Sequence, residues 1–245
     1  MYIKPYDELT IQDNFIFQKV MRNKRICKQT IERLLDIDIK DISYPEEEKS
    51  INVRLDSKSI RLDVYVNDDR GTVFNIEMQT TKDMDELVKR TRYYQGLIDI
   101  DNIEKGQNYS ALHDTYIIFI CTFGVFTGKR HKYTIRNLCI EGNEILLNDG
   151  TAKLFLSTKG EADDVSKPLK MFLDYVDGKK PEDALMQEID HEVDTVKHCD
   201  EWRRDYMTLA LEMDKKWREG KAEGKIEAIR NAIKDGLTTL AAVKK

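Results

Sequence analysis

Residues 60–80, IRLDVYVNDDRGTVFNIEMQT, hold the side chains best suited to chemistry: Asp63, Glu77 and, two positions on, Gln79. Acids are depleted inside strands, so a hairpin that carries them poses the question of their use. The stretch reads as two strands around Asp69-Arg70-Gly71, a three-residue loop whose glycine takes the left-handed position. Asp68 then opposes Thr72, and the same register sets Leu62 against Met78, Val64 against Ile76 and Val66 against Phe74, a wholly apolar face. The other face receives Asp63 beside Glu77 and Arg61 beside Gln79. Carboxylates directly across a ladder repel, and such a pair costs stability unless a cation lies between them. An ordinary wet hairpin face accommodates the same residues. The flanking sequence favours a use for the acids, because a helical segment and then a very apolar strand follow at once, which implies a mixed sheet covered by helices.

The elements around the hairpin follow from periodicity. Phe15, Ile16, Val20, Ile26, Ile31, Leu34 and Leu35 predict one or two amphipathic helices between residues 7 and 35. An extended crossing with a break at Pro45 leads into the hairpin. DMDELVKRTRYYQGLIDID has helical spacing, with Asp83 as N-cap, and places Arg90 and Tyr94 one turn apart on one face. There an arginine can clamp a phosphate and a tyrosine can stack or hydrogen-bond, although burial of that face is a competing reading. DTYIIFICTF is a strand buried on both faces, and KYTIRNLCI, EILLND and TAKLFLST read as shorter strands. From about residue 166 the chain turns helical; Trp202, Tyr206, Leu209 and Met213 start a seam that Lys216 and Gly220 interrupt, so a long coiled coil is not sustained.

Composition excludes several classes. The net charge of −5 argues against coating nucleic acid by bulk electrostatics, so any nucleic-acid site must be local. No run approaches the length of a membrane span, and MYIKPYDELT lacks the pattern of a signal peptide, so a cytoplasmic protein is expected. Cys27, Cys121, Cys139 and Cys199 form no CxxC pair and read as reduced core residues. His191, His198 and Cys199 have no fourth ligand at zinc spacing. The basic turn GVFTGKRHKY reads as a solvated hairpin tip, and phosphate-loop, dinucleotide-binding and serine-nucleophile motifs are missing.

Asp63 followed by Glu77-Met78-Gln79 resembles the PD-(D/E)XK nuclease superfamily, in particular the recombination-promoting nuclease (Rpn) family of bacteria, whose members are described as transposase-related. IQDNFIFQKVM, KRTRYYQGLI, KGQNYSAL, IIFICTFGVF, LLNDGTAKLFLSTKG and WREGKAEGKIEAI are similar to further family segments, so the resemblance runs over nearly the whole chain. It implies an α/β fold with a restriction-endonuclease-like αβββαβ core, a mixed central sheet flanked by helices, and a helical C-terminal extension. It also implies that Asp63, Glu77 and the Met78 carbonyl ligate Mg²⁺, or Mn²⁺ or Ca²⁺ in its place. Catalysis would rest on Asp63, Glu77 and Gln79, substrate binding on Arg90 and Tyr94, and Asp13 would be an outer acid of the site, although a helix N-cap explains Asp13 equally well. Gln79 stands where the superfamily has lysine and can orient but not supply charge; Lys82 is one source of that charge, and an exposed loop lysine is the competing reading. Gly124 stands where relatives commonly carry an acid.

The expectation is therefore a metal-dependent DNA endonuclease, bacterial and cytoplasmic. Residues 1–165 would form the nuclease core, and residues 166–245 a helical region able to set a homo-oligomer. The ending DGLTTLAAVKK is similar to a helical element that continues in relatives, which suggests a shortened chain. The alternative is a nuclease-fold module of little activity that binds DNA or protein.

Overall fold

The computed structural model describes residues 3–44, 50–51 and 60–235. The side chains of residues 50, 51, 60, 61 and 233 lie outside the description, as do the acidic loop at 45–49 and the ending from 236. The expected partnership of Arg61 with Gln79 therefore falls outside it too.

The chain opens with a single turn at Tyr6–Glu8, then α1 (Asn14–Val20) and α2 (Lys24–Leu35). Short strands β1 (Ile42–Ser43), β2 (Ser50–Ile51) and β3 (Ile60–Arg61) precede the hairpin of β4 (Val64–Asp68) and β5 (Val73–Gln79). Helix α3 (Met84–Asn102) leads to β6 (Thr115–Cys121), β7 (Lys132–Ile135) and β8 (Thr151–Ser157). The rest is helical: α4 (Lys167–Val176), α5 (Ala184–His198) and α6 (Asp200–Lys234). Two short helices open the chain because Asn23 caps a second one: its side chain accepts from Ile26 N–H.

A six-stranded sheet has the order β1-β4-β5-β6-β8-β7, and β2 pairs with β3 separately. β5, β6 and β8 run parallel, while β1, β4 and β7 are antiparallel to their neighbours. The parallel step from β5 to β6 requires a crossover, and α3 supplies it. The hairpin register is the one its loop demands: Val64 opposes Ile76, Val66 opposes Phe74, and Asp68 N–H donates to Thr72 O over 3.0 Å. Gly71 sits at φ +85°, the left-handed value the loop needs. EILLND does not form the expected strand, and only an isolated bridge between Leu138 and Leu146 continues the β7–β8 hairpin.

Both faces of the sheet are buried. On one, Tyr65, Val73, Ile117, Phe119, Cys121 and Phe155 pack with Leu87, Tyr94, Leu97 and Ile98 of α3. On the other, Val66, Phe74, Ile76, Ile118, Ile120 and Leu156 are also buried, α1 contacts β5, and α2 contacts β1 and α4. This burial on both sides explains why β6 reads as an unbroken apolar run.

The chain divides into two compact units, residues 10–196 and residues 1–9 with 197–245. Within the second, Arg203 Nη2 lies 2.8 Å from Asp7 Oδ1, its guanidinium covers the Tyr6 ring, and Tyr206 donates to Lys4 O over 2.7 Å. No helix of the described residues is long and apolar enough to cross a membrane.

Candidate active site at the β4–β5 hairpin

Asp63 sits one residue ahead of β4, where the chain bends out of the ladder. Freed from pairing there, its backbone N–H donates to Glu77 Oε1 over 3.2 Å, and its Oδ2 accepts from Met78 N–H at the same distance. Glu77 thus takes the N–H of Asp63, and Asp63 takes the N–H of the residue after Glu77. Met78 lies on the edge of β5 that faces β4, so its carbonyl is directed to the same side as the N–H that Asp63 takes.

Glu77 is 2 % exposed. Burial, and next the charge of Asp63, push its pKa well above the usual carboxylate range, against the opposing pull of Arg90 and the Asp63 N–H. The Asn75 amide also favours the carboxylate, although neither of its polar atoms, both buried, makes a hydrogen bond of normal geometry.

Arg90 and Tyr94 enter from α3, whose first turn is fixed by the Asp83 side chain accepting from Glu86 N–H over 3.0 Å. The Arg90 guanidinium donates to Glu77 Oε2 and Gln79 Oε1, each over 3.1 Å, and to the Tyr94 hydroxyl over 2.7 Å from Nη2. Burial works against its charge, but Tyr94 and Glu77 more than offset this and raise its pKa. The Tyr94 ring is buried against Phe119, with centroids 6.4 Å apart, which leaves the hydroxyl and not the ring to face the site. Stacking on substrate is therefore not its part. Burial, and then Glu77, push the Tyr94 hydroxyl up to about 12, so it is protonated at neutral pH and accepts from Arg90.

A residue that sequence reasoning passed over completes the group. Gln18 of α1 donates from Nε2 to Asp63 Oδ1 over 2.8 Å. Nothing in a lone glutamine on a helix marks it; only the packing of α1 on β5 brings it there. Asp13 stands at the N-cap of α1, but its side chain turns back to accept from Thr10 N–H over 2.7 Å and makes no capping bond to the helix. Lys82 is exposed in the loop after β5. The cation at Gln79 is Arg90.

The donor set suits a hard divalent ion. Mg²⁺ needs one or two carboxylates with waters, not a full protein cage, and the Asp63 and Glu77 carboxylates are held side by side here. Among the described residues no group of three or more His, Cys, Asp or Glu is placed to hold a metal ion.

A family model described as PD-(D/E)XK nuclease family transposase matches residues 14–154, which span α1, the hairpin, α3, β6 and part of β8. No curated protein and no solved structure gives a significant match to the chain. With more than half of its length matched, and a mixed sheet flanked by helices, the chain belongs to the PD-(D/E)XK nuclease family transposases.

Proposed function

We propose that the chain is a divalent-metal-dependent endonuclease that hydrolyses phosphodiester bonds of DNA, in the bacterial cytoplasm and in the service of recombination. The observation that carries this reading is the pair of backbone bonds, Asp63 N–H to Glu77 and Met78 N–H to Asp63, which holds two carboxylates together beside a half-buried arginine. Asp63, Glu77 and the Met78 carbonyl would hold Mg²⁺, or Mn²⁺ or Ca²⁺ in its place. When bound, such an ion lowers the pKa of a coordinated water and neutralises charge on the scissile phosphate.

The chain's own groups do the rest. Gln18 fixes the rotamer of Asp63 through Oδ1. Gln79 can orient a water through its carboxamide but cannot take a proton from it. Arg90, held in plane by Gln79 and Tyr94, supplies the fixed positive charge that a lysine at Gln79 would have carried. Its planar fork would suit a phosphate oxygen as well as it suits Glu77.

Purified protein with Mg²⁺ or Mn²⁺ is expected to nick supercoiled plasmid, and Asp63→Ala or Glu77→Ala to abolish nicking. Equal cutting by parent and both variants would remove the assignment. A second reading, a nuclease-fold binding module without turnover, draws on Gln79 in place of lysine and on the Arg90–Glu77 pair, which already neutralises one acid. Calorimetric titration with Mg²⁺ separates the two, since the module should bind the ion weakly or not at all.

A further inference from the structure

Between Tyr65 of β4 and Ile117 of β6, strand β5 carries Asn75, which is 0 % exposed. Side chains alternate along a strand, so Val73, Asn75, Glu77 and Gln79 share the face that α3 covers. Asparagine is depleted in strands, and the neighbours of this one, Tyr65, Val73 and Ile117, belong to the apolar core. Neither its Nδ2 nor its Oδ1 makes a hydrogen bond of normal geometry among the described residues. A buried amide in that state bears its full desolvation cost, and an apolar side chain of similar size would spare the fold that cost.

The polar groups of α3 do not account for Asn75. The Thr91 hydroxyl donates to Val88 O, Gln95 Nε2 to Asp99, and Asn102 Nδ2 to the Tyr65 hydroxyl and Ile98 O. The Tyr94 hydroxyl accepts from Arg90, and the buried side-chain carbonyls of Asn67 and Gln95 make no bond to Asn75. Glu77 remains, two residues on along the same face, and the Asn75 amide is close enough to favour its carboxylate. The oxygens of Glu77 are met from other directions: Oε1 takes the Asp63 N–H from beside it, and Oε2 takes Arg90 from α3. Asn75 stands behind it, on its own strand.

We propose that Asn75 is a positioning residue of the metal site: its Nδ2 donates to Glu77 when that carboxylate holds the divalent ion, and fixes the orientation in which it ligates. The inference rests on Asp63 and Glu77 sharing such an ion. A ligating carboxylate depends on hydrogen-bond donors outside the metal's own shell, and loss of one weakens metal binding by about tenfold or more. Nδ2 is the amide atom that serves, because Oδ1 and a carboxylate are both acceptors. The unsatisfied amide is thus a cost of the metal-free fold that ion binding offsets.

The test compares the parent full chain with Asn75→Leu in three measurements: melting in EDTA, calorimetric titration with Mn²⁺, and plasmid nicking as a function of Mn²⁺ concentration. Asn75→Leu should melt in EDTA at or above the parent, since no buried amide is left without a partner. It should bind Mn²⁺ on the order of tenfold more weakly or worse. In nicking, the loss should fall on the half-saturating Mn²⁺ concentration more than on the saturated rate. Unchanged Mn²⁺ affinity overturns the inference whatever the melt shows. A melt in EDTA well below the parent's also overturns it, because the amide would then be part of the metal-free fold. Asn75→Val is read in the same way, and failure of both variants to fold counts against the inference too. A parent that binds no Mn²⁺ is a separate result: it removes the metal reading itself, and the role of Asn75 with it.

Discussion

Arg90 and Glu77 form an ion pair of 3.1 Å in which the carboxylate is 3 % exposed and the guanidinium is also bound to Gln79 Oε1. The Gln79 carboxamide thus stands next to a cation instead of being one. Gln79→Lys, which restores the superfamily residue, should set an ammonium against Arg90 and cost about 1–2 kcal/mol, some 2–8 °C in Tm. Nicking should fall and not rise. Gln79→Lys with Arg90→Gln should regain both stability and cutting. Thermal melts and plasmid nicking of the single and double variants check this, and equal behaviour of the two would remove Arg90 from the role given to it.

Glu77 also predicts a pH dependence of stability. Its folded-state pKa lies well above the unfolded value, so the folded state binds the extra proton between the two. The stability present below the ordinary glutamate range is therefore lost as pH rises through the folded value. Glu77→Gln, which cannot ionise, should melt higher than the parent in EDTA at pH 7–8, by on the order of 1 kcal/mol or about 2–4 °C. The gap should close toward pH 4. Millimolar Mg²⁺ should raise the melting point of the parent and leave the variant where it was. Differential scanning calorimetry across pH measures both.

Gln18 touches Asp63 and is half-buried. Removing an outer hydrogen bond from a ligating carboxylate weakens metal binding by about tenfold or more, while loss of one hydrogen bond to a charged group costs folding about 1.5–3 kcal/mol. Gln18→Ala should accordingly lower Mn²⁺ affinity on the order of tenfold in calorimetric titration, with a melting shift of several degrees. An unchanged affinity would make Gln18 a packing residue alone.

The register that joins the two acids depends on the turn. A side chain at Gly71 would meet positive φ and lie 2.7 Å from the His113 ring. Gly71→Ala should cost about 1–3 kcal/mol, and His113→Ala in the same chain should recover only the contact part. Urea melts of the single and double variants resolve the two contributions.

Much of this site was legible because hairpin geometry is arithmetic. A three-residue loop with a left-handed glycine fixes which residues oppose as far as Val64 and Ile76, but Asp63, expected across the ladder from Glu77, bends out of it and meets Glu77 through its backbone N–H. Arg90 and Tyr94 share a face by helical spacing alone, but spacing does not say that the Tyr94 ring is core or that Arg90 already spans Glu77 and Gln79. Those facts depend on how α3 lies against the sheet. Gln18 was invisible for the same reason, since its partner is 45 positions away. EILLND has the composition of a strand, but only the Leu138–Leu146 bridge supports it, and without a longer ladder its apolar residues remain outside.

The central claim is that one divalent ion is held jointly by Asp63 and Glu77. Anomalous scattering from a crystal soaked in millimolar Mn²⁺ tests it most directly. A single strong peak within bonding distance of both carboxylates and the Met78 carbonyl, with Arg90 turned away from Glu77, is the predicted result. Mn²⁺ bound elsewhere, with Arg90 still paired to Glu77, would contradict it.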